Sequence, residues 1–221
     1  MSYRSNADLG GCPDSRAVTP EPEGELFHAP WEPRILAITL AMGATGLWNI
    51  DRSRSARETL ANYADLSYYQ IWWAALEKLL LESGAVSAQE LKDGKVSQPA
   101  IAVPRKLLAA SVPATLARGS PVSRPTAQPQ RFVLGQTVRT RCEHPDHHTR
   151  LPAYARGKRG VIERVHGVHV FADAQAQGLG EEPHWLYTVV FTGEALWGTP
   201  LAAGAPRRVS VDAWEPYLEP A

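Results

Sequence analysis

Six prolines fall between residues 94 and 130, at Pro99, Pro104, Pro113, Pro121, Pro125 and Pro129, among scattered Ala, Ser and Thr. Proline offers no backbone N–H, so neither a helix nor a central strand is expected to run through such a stretch. It has the composition of a connector crossing a surface, and it divides the chain in two. The hydrophobic period changes across it, from helical spacing before to alternation after. The spacing therefore predicts an α+β chain: an extended arm at 1–30, a helical domain at 31–93, the connector at 94–130 and a β domain at 131–221.

The arm contains Gly10, Gly11, Pro13, Pro20, Pro22, Gly24 and Pro30 with almost no apolar periodicity. Such a segment is either disordered or laid across a partner, and Leu26, Phe27 and Trp31 favour docking of its far end. Pro33 suits a first helical turn, and Ile35, Leu36, Ile38, Thr39 and Met42 follow at helical spacing until Gly43. Asp51 can cap a second helix to about Leu60. Ser67 can cap a third, with Tyr69, Trp72, Trp73, Leu76 and Leu80 as its apolar stripe and Gly84 as its end. Ser87 and Glu90 have the spacing of a capping box, which predicts a short fourth helix.

Beyond Arg131 the apolar residues alternate. Residues 132–140, 160–165, 186–191 and 208–211 are short β-rich segments separated by Gly, Pro, Asp and His. Four or five such strands predict a small SH3-like barrel, with residues 142–156 and 167–185 as the long loops free to carry function.

Composition narrows the function. The chain has 23 basic and 23 acidic residues in 221, which disfavours a nucleic acid or an anionic membrane as the main partner. Cys12 and Cys142 lie far apart behind no signal-like start, so a disulfide framework is not expected and a reducing cytoplasm is the default. The longest apolar run, 35–47, is broken by Thr39, Gly43, Thr45 and Gly46 and falls short of the ~20 residues of a membrane span.

Two stretches carry chemistry-bearing residues. Residues 47–73 set Arg52, Arg54, Arg57, Glu58, Tyr68 and Tyr69 among enough apolar residues that those polar groups are not all expected in open water, although taken alone the stretch reads more readily as an amphipathic helix with arginines on a solvated face. Residues 142–148 hold a thiol and three imidazoles, Cys142, His144, His147 and His148, which could ligate a divalent ion. The spacing C-x-H-x-x-H-H matches no common finger and Pro145 restricts convergence, so a solvated polar loop is the favoured reading. There is no phosphate-binding loop, dinucleotide fingerprint, G-x-S-x-G or H-E-x-x-H.

Several motifs in one order do point to a family. They are HTRLPAYARG at 148–157 with GVI at 160–162, GLGEEP at 178–183, LYTV at 186–189, EALWG at 194–198 and VDAWEPYL at 211–218. In the amino-terminal half, DLGG at 8–11, residues 51–58 and YYQIW at 68–72 belong to the same pattern. Together they resemble the β subunit of nitrile hydratase over nearly the whole chain except the connector.

The resemblance implies a subunit of an enzyme that hydrates nitriles to amides, working as an αβ heterodimer expected to pair as α2β2. The cofactor it implies is a non-corrin Co(III) or non-haem Fe(III) held by the α subunit, in a cysteine cluster with two thiolates oxidised to sulfenic and sulfinic forms. No metal is expected on this chain. By motif, the two β-subunit arginines that hydrogen-bond the oxidised sulfurs fall on Arg54 and Arg150. Glu58 and His148 match outer positions that orient those arginines, and Tyr68 matches a substrate-binding tyrosine. Tyr69 and Trp48 match the substrate pocket and its entrance, although both also suit a core. Arg52, Arg57 and Arg156 read as ordinary surface or interface charges, and Arg156→Lys is expected to be mild. Ile71 stands where many relatives carry histidine, so a relay through that position is absent. Two other readings stay open: an activator or metallochaperone-like chain, and a thiocyanate hydrolase-like subunit.

Overall fold

A computed structural model describes residue 6, residues 17–198 and residues 208–221. Most of the 1–30 arm, including Cys12 and the 8–11 motif, lies outside the described residues. From residue 17 on, the described residues form two compact units, one of helices (within 17–119) and one built on a sheet (within 120–221).

In the helical unit, α1 (Glu32–Gly43) opens on Glu32, whose buried carboxylate accepts the His28 N–H at 2.7 Å, with Pro33 in its first turn. α2 (Ile50–Glu58) is capped by Asn49, whose side chain accepts from the Arg52 N–H at 2.8 Å. Asp51, expected as that cap, instead sits buried in the first turn, where the helix dipole favours a carboxylate. α3 (Tyr68–Glu82) starts at Ser67, whose N–H donates to the Gln70 side chain at 2.8 Å. Ala75, Leu76 and Leu79 of α3 bury against Ala56 of α2 and against Trp48, with Met42, Leu47 and Leu80 at the edge. α4 (Ala88–Asp93) has the capping box expected of Ser87 and Glu90 and ends at Gly94 in the left-handed region, φ 61°.

The proline-rich stretch holds more structure than its composition predicts. α5 (Val112–Arg118) takes Pro113 in its first turn, where the missing N–H costs nothing, and β1 (Ser123–Arg124) follows.

The sheet unit adds β2 (Thr137–Thr140), β3 (Arg159–His169), β4 (His184–Thr192), β5 (Arg208–Trp214) and β6 (Leu218–Pro220), all pairing antiparallel. The order is β5-β4-β3-β2-β6, with β1 pairing the far part of β3. Two short helices, α6 (Ala172–Ala176) and α7 (Gly193–Trp197), flank β4 in sequence. Inward-facing Val138, Ile162, Tyr187, Val189, Phe191, Val211, Ala213 and Leu218 form the core with Phe132, Leu151 and Tyr217.

The closed barrel expected from the sequence is not what the ladder makes. Among the described residues no pairing joins β5 to β6, and the sheet stays open. β6 is three residues long, all paired with β2, and its Pro220 has no N–H to donate. The sheet is nonetheless curled, because a single turn, 215–217, carries the chain from one edge strand to the other.

Candidate functional site

In the helical unit, Arg54, Arg57, Glu58, Tyr63, Tyr68, Ile71 and Trp72 line a cleft of about 170 Å³. Residues three and four apart on a helix share a face, so Arg54, Arg57 and Glu58 of α2 point together toward the first turn of α3. Asp51 holds Arg54 through Nη1 at 2.8 Å, leaving 41% of that side chain exposed. Arg57 lies over the Trp72 ring, 4.3 Å from its centroid, and donates to Ser53 Oγ at 2.9 Å. Burial lowers the Arg57 pKa from its ordinary value, Arg54 adds to that, and Tyr68, Glu58 and Tyr63 oppose it. Two guanidiniums and the Glu58 carboxylate line the cleft, with Asp51 paired to Arg54, and the donors that remain open on the two forks suit an anionic or strongly dipolar group.

Tyr68 is 64% exposed at the rim. Tyr69 does not line the cleft; its ring packs on Phe27 at 5.5 Å and on Tyr68 at 5.1 Å. Trp48 is 7% exposed within the α2–α3 core.

In the sheet unit, Arg150 is exposed in a stretch without helix or strand, while the adjacent His148 and Thr149 are buried. Its backbone N–H donates to the Tyr217 hydroxyl at 3.1 Å. Beside it lies a larger cavity, about 390 Å³, whose lining includes Thr149, Leu151, Arg156, Asp173 and Tyr217. Arg156, expected as a surface or interface charge, is instead buried within the unit. It is 5% exposed and donates from Nε and Nη2 to the Leu151 carbonyl at 3.2 and 3.0 Å. In the 142–148 loop, Cys142 Sγ lies 3.9 Å from His144 Nε2, and His147 Nδ1 meets the His148 carbonyl at 2.8 Å. Among the described residues no three His, Cys, Asp or Glu side chains are grouped to hold a metal ion.

Against this geometry stand the comparisons with known proteins. The family "Nitrile hydratase beta subunit, N-terminal" matches residues 3–118, and "Nitrile hydratase beta subunit, C-terminal" matches residues 121–220. The chain belongs to the nitrile hydratase β-subunit family. It is 33% identical over 223 residues to the low-molecular-weight cobalt-containing nitrile hydratase subunit beta of Rhodococcus rhodochrous, covering 97% of this chain and 98% of that one. The nitrile hydratase subunit beta of Pseudomonas putida is 35% identical over 217 residues, with 97% and 98% covered. That of Pseudonocardia thermophila, also named cobalt-containing, is 31% identical over 222 residues, with 96% and 94% covered. Among solved structures, a recombinant apo thiocyanate hydrolase of Thiobacillus thioparus shares 30% identity at a TM-score of 0.39, over 43% of this chain and 79% of that one.

Of the residues singled out in this nitrile hydratase β-type chain, the structure groups Arg54, Glu58 and Tyr68 in one cleft and places Arg150 and His148 side by side in the sheet unit. Arg57 and Trp72, to which the motifs assign no site role, also line the cleft. The signal for Arg57 is its three-residue step from Arg54, which puts both on one face of α2. Ile71 gives the cleft an apolar wall at the position noted for its missing histidine. No helix among the described residues is long and apolar enough to cross a membrane.

Proposed function

We propose that this chain is the β subunit of a heteromeric nitrile hydratase, pairing with an α subunit as αβ and further as α2β2, and active only in that complex. The family match along the whole chain carries the reading. The chain's exposed donors fit the α subunit's oxidised cysteines as a partner group. Guanidinium and phenol O–H groups suit oxyanions as donors, and a guanidinium has no lone pair to offer a cation. When bound in the α subunit, a trivalent cobalt or iron supplies Lewis acidity toward the nitrile or its nucleophile.

This chain's part is donation and exclusion of water. Arg54 and Arg150 donate to the sulfenate and sulfinate oxygens. A guanidinium stays charged and presents a planar fork, where lysine presents one mobile point charge. Asp51 fixes the Arg54 fork by its 2.8 Å bond. Glu58 and His148 orient the arginines, and the exposed Tyr68 hydroxyl is placed to hydrogen-bond substrate. Tyr69 and Trp48 support that pocket from behind. Removal of bulk water on assembly strengthens each charged hydrogen bond.

The test is reconstitution. The chain purified alone is expected to hold no stoichiometric cobalt or iron and to convert no nitrile, whereas the complex with its α subunit forms amide. Amide formation by the chain alone, or a metal-loaded complex that forms none, overturns the proposal.

A further inference from the structure

Arg150 stands in a stretch with no ladder to fix it, beside a cavity of about 390 Å³ that leaves one side of the loop without packing. Its backbone is instead held by one side chain from far along the sequence. The Tyr217 hydroxyl accepts the Arg150 N–H at 3.1 Å and the Thr149 hydroxyl at 3.3 Å. Its own proton goes to the Asp173 carboxylate on α6. The Thr149 hydroxyl is within reach of that carboxylate as well, with one proton to give to either group, and His147 and His148 are near enough to act on the Asp173 charge. Tyr217 is itself a fixed point. Its ring packs on Phe171 at 5.5 Å and on Trp214 at 6.2 Å. Two residues before it in the same turn, Glu215 receives the Tyr187 hydroxyl at 2.7 Å and the Arg131 N–H at 3.1 Å. Asp173 and Tyr217 are each 7% exposed and line the cavity, so most of both side chains is turned to partners within the unit.

We propose that Asp173 and Tyr217 are positioning residues that set the place of the Arg150 backbone, and through it the aim of the Arg150 guanidinium at the α subunit. This rests on the reading of Arg150 given above. Asp173 directs the Tyr217 proton away from the loop, so that the hydroxyl presents a lone pair to the Arg150 N–H. Without that acceptor the N–H, and with it the side chain, can shift within the space the cavity leaves. Displacement of a positioning group by about an ångström costs up to about a hundredfold in rate.

The experiment is Tyr217→Phe, which keeps the ring and removes the hydroxyl, in the complex with the α subunit at matched metal content. We expect kcat to fall about ten- to a hundredfold with KM changed less than about twofold. Amide exchange at Arg150, read on the same protein, should quicken about tenfold or more. In an Arg150→Lys background the further loss from Tyr217→Phe should shrink below about twofold, since nothing is left to aim. Should the Phe variant not fold, Asp173→Asn is read by the same three measurements. Unchanged exchange at Arg150, or full additivity with Arg150→Lys, overturns the positioning role and leaves the role of Arg150 intact. An Arg150→Lys enzyme of normal turnover overturns both.

Discussion

Replacing Arg156 by lysine separates the structure from the sequence, which gave no reason to expect more than a mild effect. Arg156 is 5% exposed, and two nitrogens of its fork reach one acceptor, the Leu151 carbonyl, at 3.0 and 3.2 Å. Lysine keeps the buried charge, but its single ammonium can replace at most one of those bonds. A hydrogen bond from a charged donor contributes about 1.5 to 3 kcal/mol, and the compact ammonium is also harder to desolvate than a guanidinium. The expected loss is therefore about 2 kcal/mol, or roughly 8 to 16 °C in the melting temperature of a domain near this size. Urea unfolding of the isolated chain, followed by amide exchange in the sheet unit, measures it. A variant within about 0.5 kcal/mol of the parent would refute the reasoning and return Arg156 to the surface charges.

Gly160→Ala should destabilise the sheet by about 1 to 3 kcal/mol, since its Cβ would meet Val189 Cγ1 at 2.6 Å and the Val190 carbonyl at 2.9 Å; a neutral result in the same unfolding assay would contradict the register of β3 on β4. Glu90 receives backbone N–H groups from Ser87, Ser97 and Gln98, which hold its carboxyl at about 2 against an ordinary 4.5. A folded-state pKa below the unfolded one means that the contribution is complete above 4.5 and is lost as pH falls through about 2. Amides of 87–98 should lose protection across that window in the parent and not in Glu90→Gln, and a Glu90 carboxyl titrating near 4.5 by NMR would contradict the arrangement.

What the sequence disclosed was what local rules control. Pro33, Ser67 and Ser87 mark helix starts because their backbone preferences act within one turn, and the helices begin beside them. Asn49 displaced Asp51 as a cap because both suit the role, and only the path of the chain into α2 decides between them. Helix α5 was hidden by proline counting, since Pro113 breaks a helix interior and favours a first turn. The open edge between β5 and β6 depends on a strand of three residues, too short for alternation to mark. At the site, motif order marked Arg54, Glu58 and Tyr68, which share a cleft, and also Arg150 and His148. The support behind Arg150 could not be read that way: Tyr217 lies 67 residues from Arg150 and 44 from Asp173, a pairing that only the folded sheet produces.

Turnover of the α–β complex carrying Arg54→Lys or Arg150→Lys, at metal content equal to the parent's, tests the central claim most directly. On the proposed function, each lysine keeps the charge and loses the fork, so that one oxidised-cysteine oxygen would go short of a donor in a site sheltered from water. By the usual effect of removing a preorganised donor to an oxyanion, the loss is about 2 to 4 kcal/mol, on the order of a hundredfold or more in kcat. The account predicts that fall for both variants, with folding stability little changed because Arg150 is exposed and 41% of the Arg54 side chain is. Near-normal turnover in both, at full metal content, would contradict it.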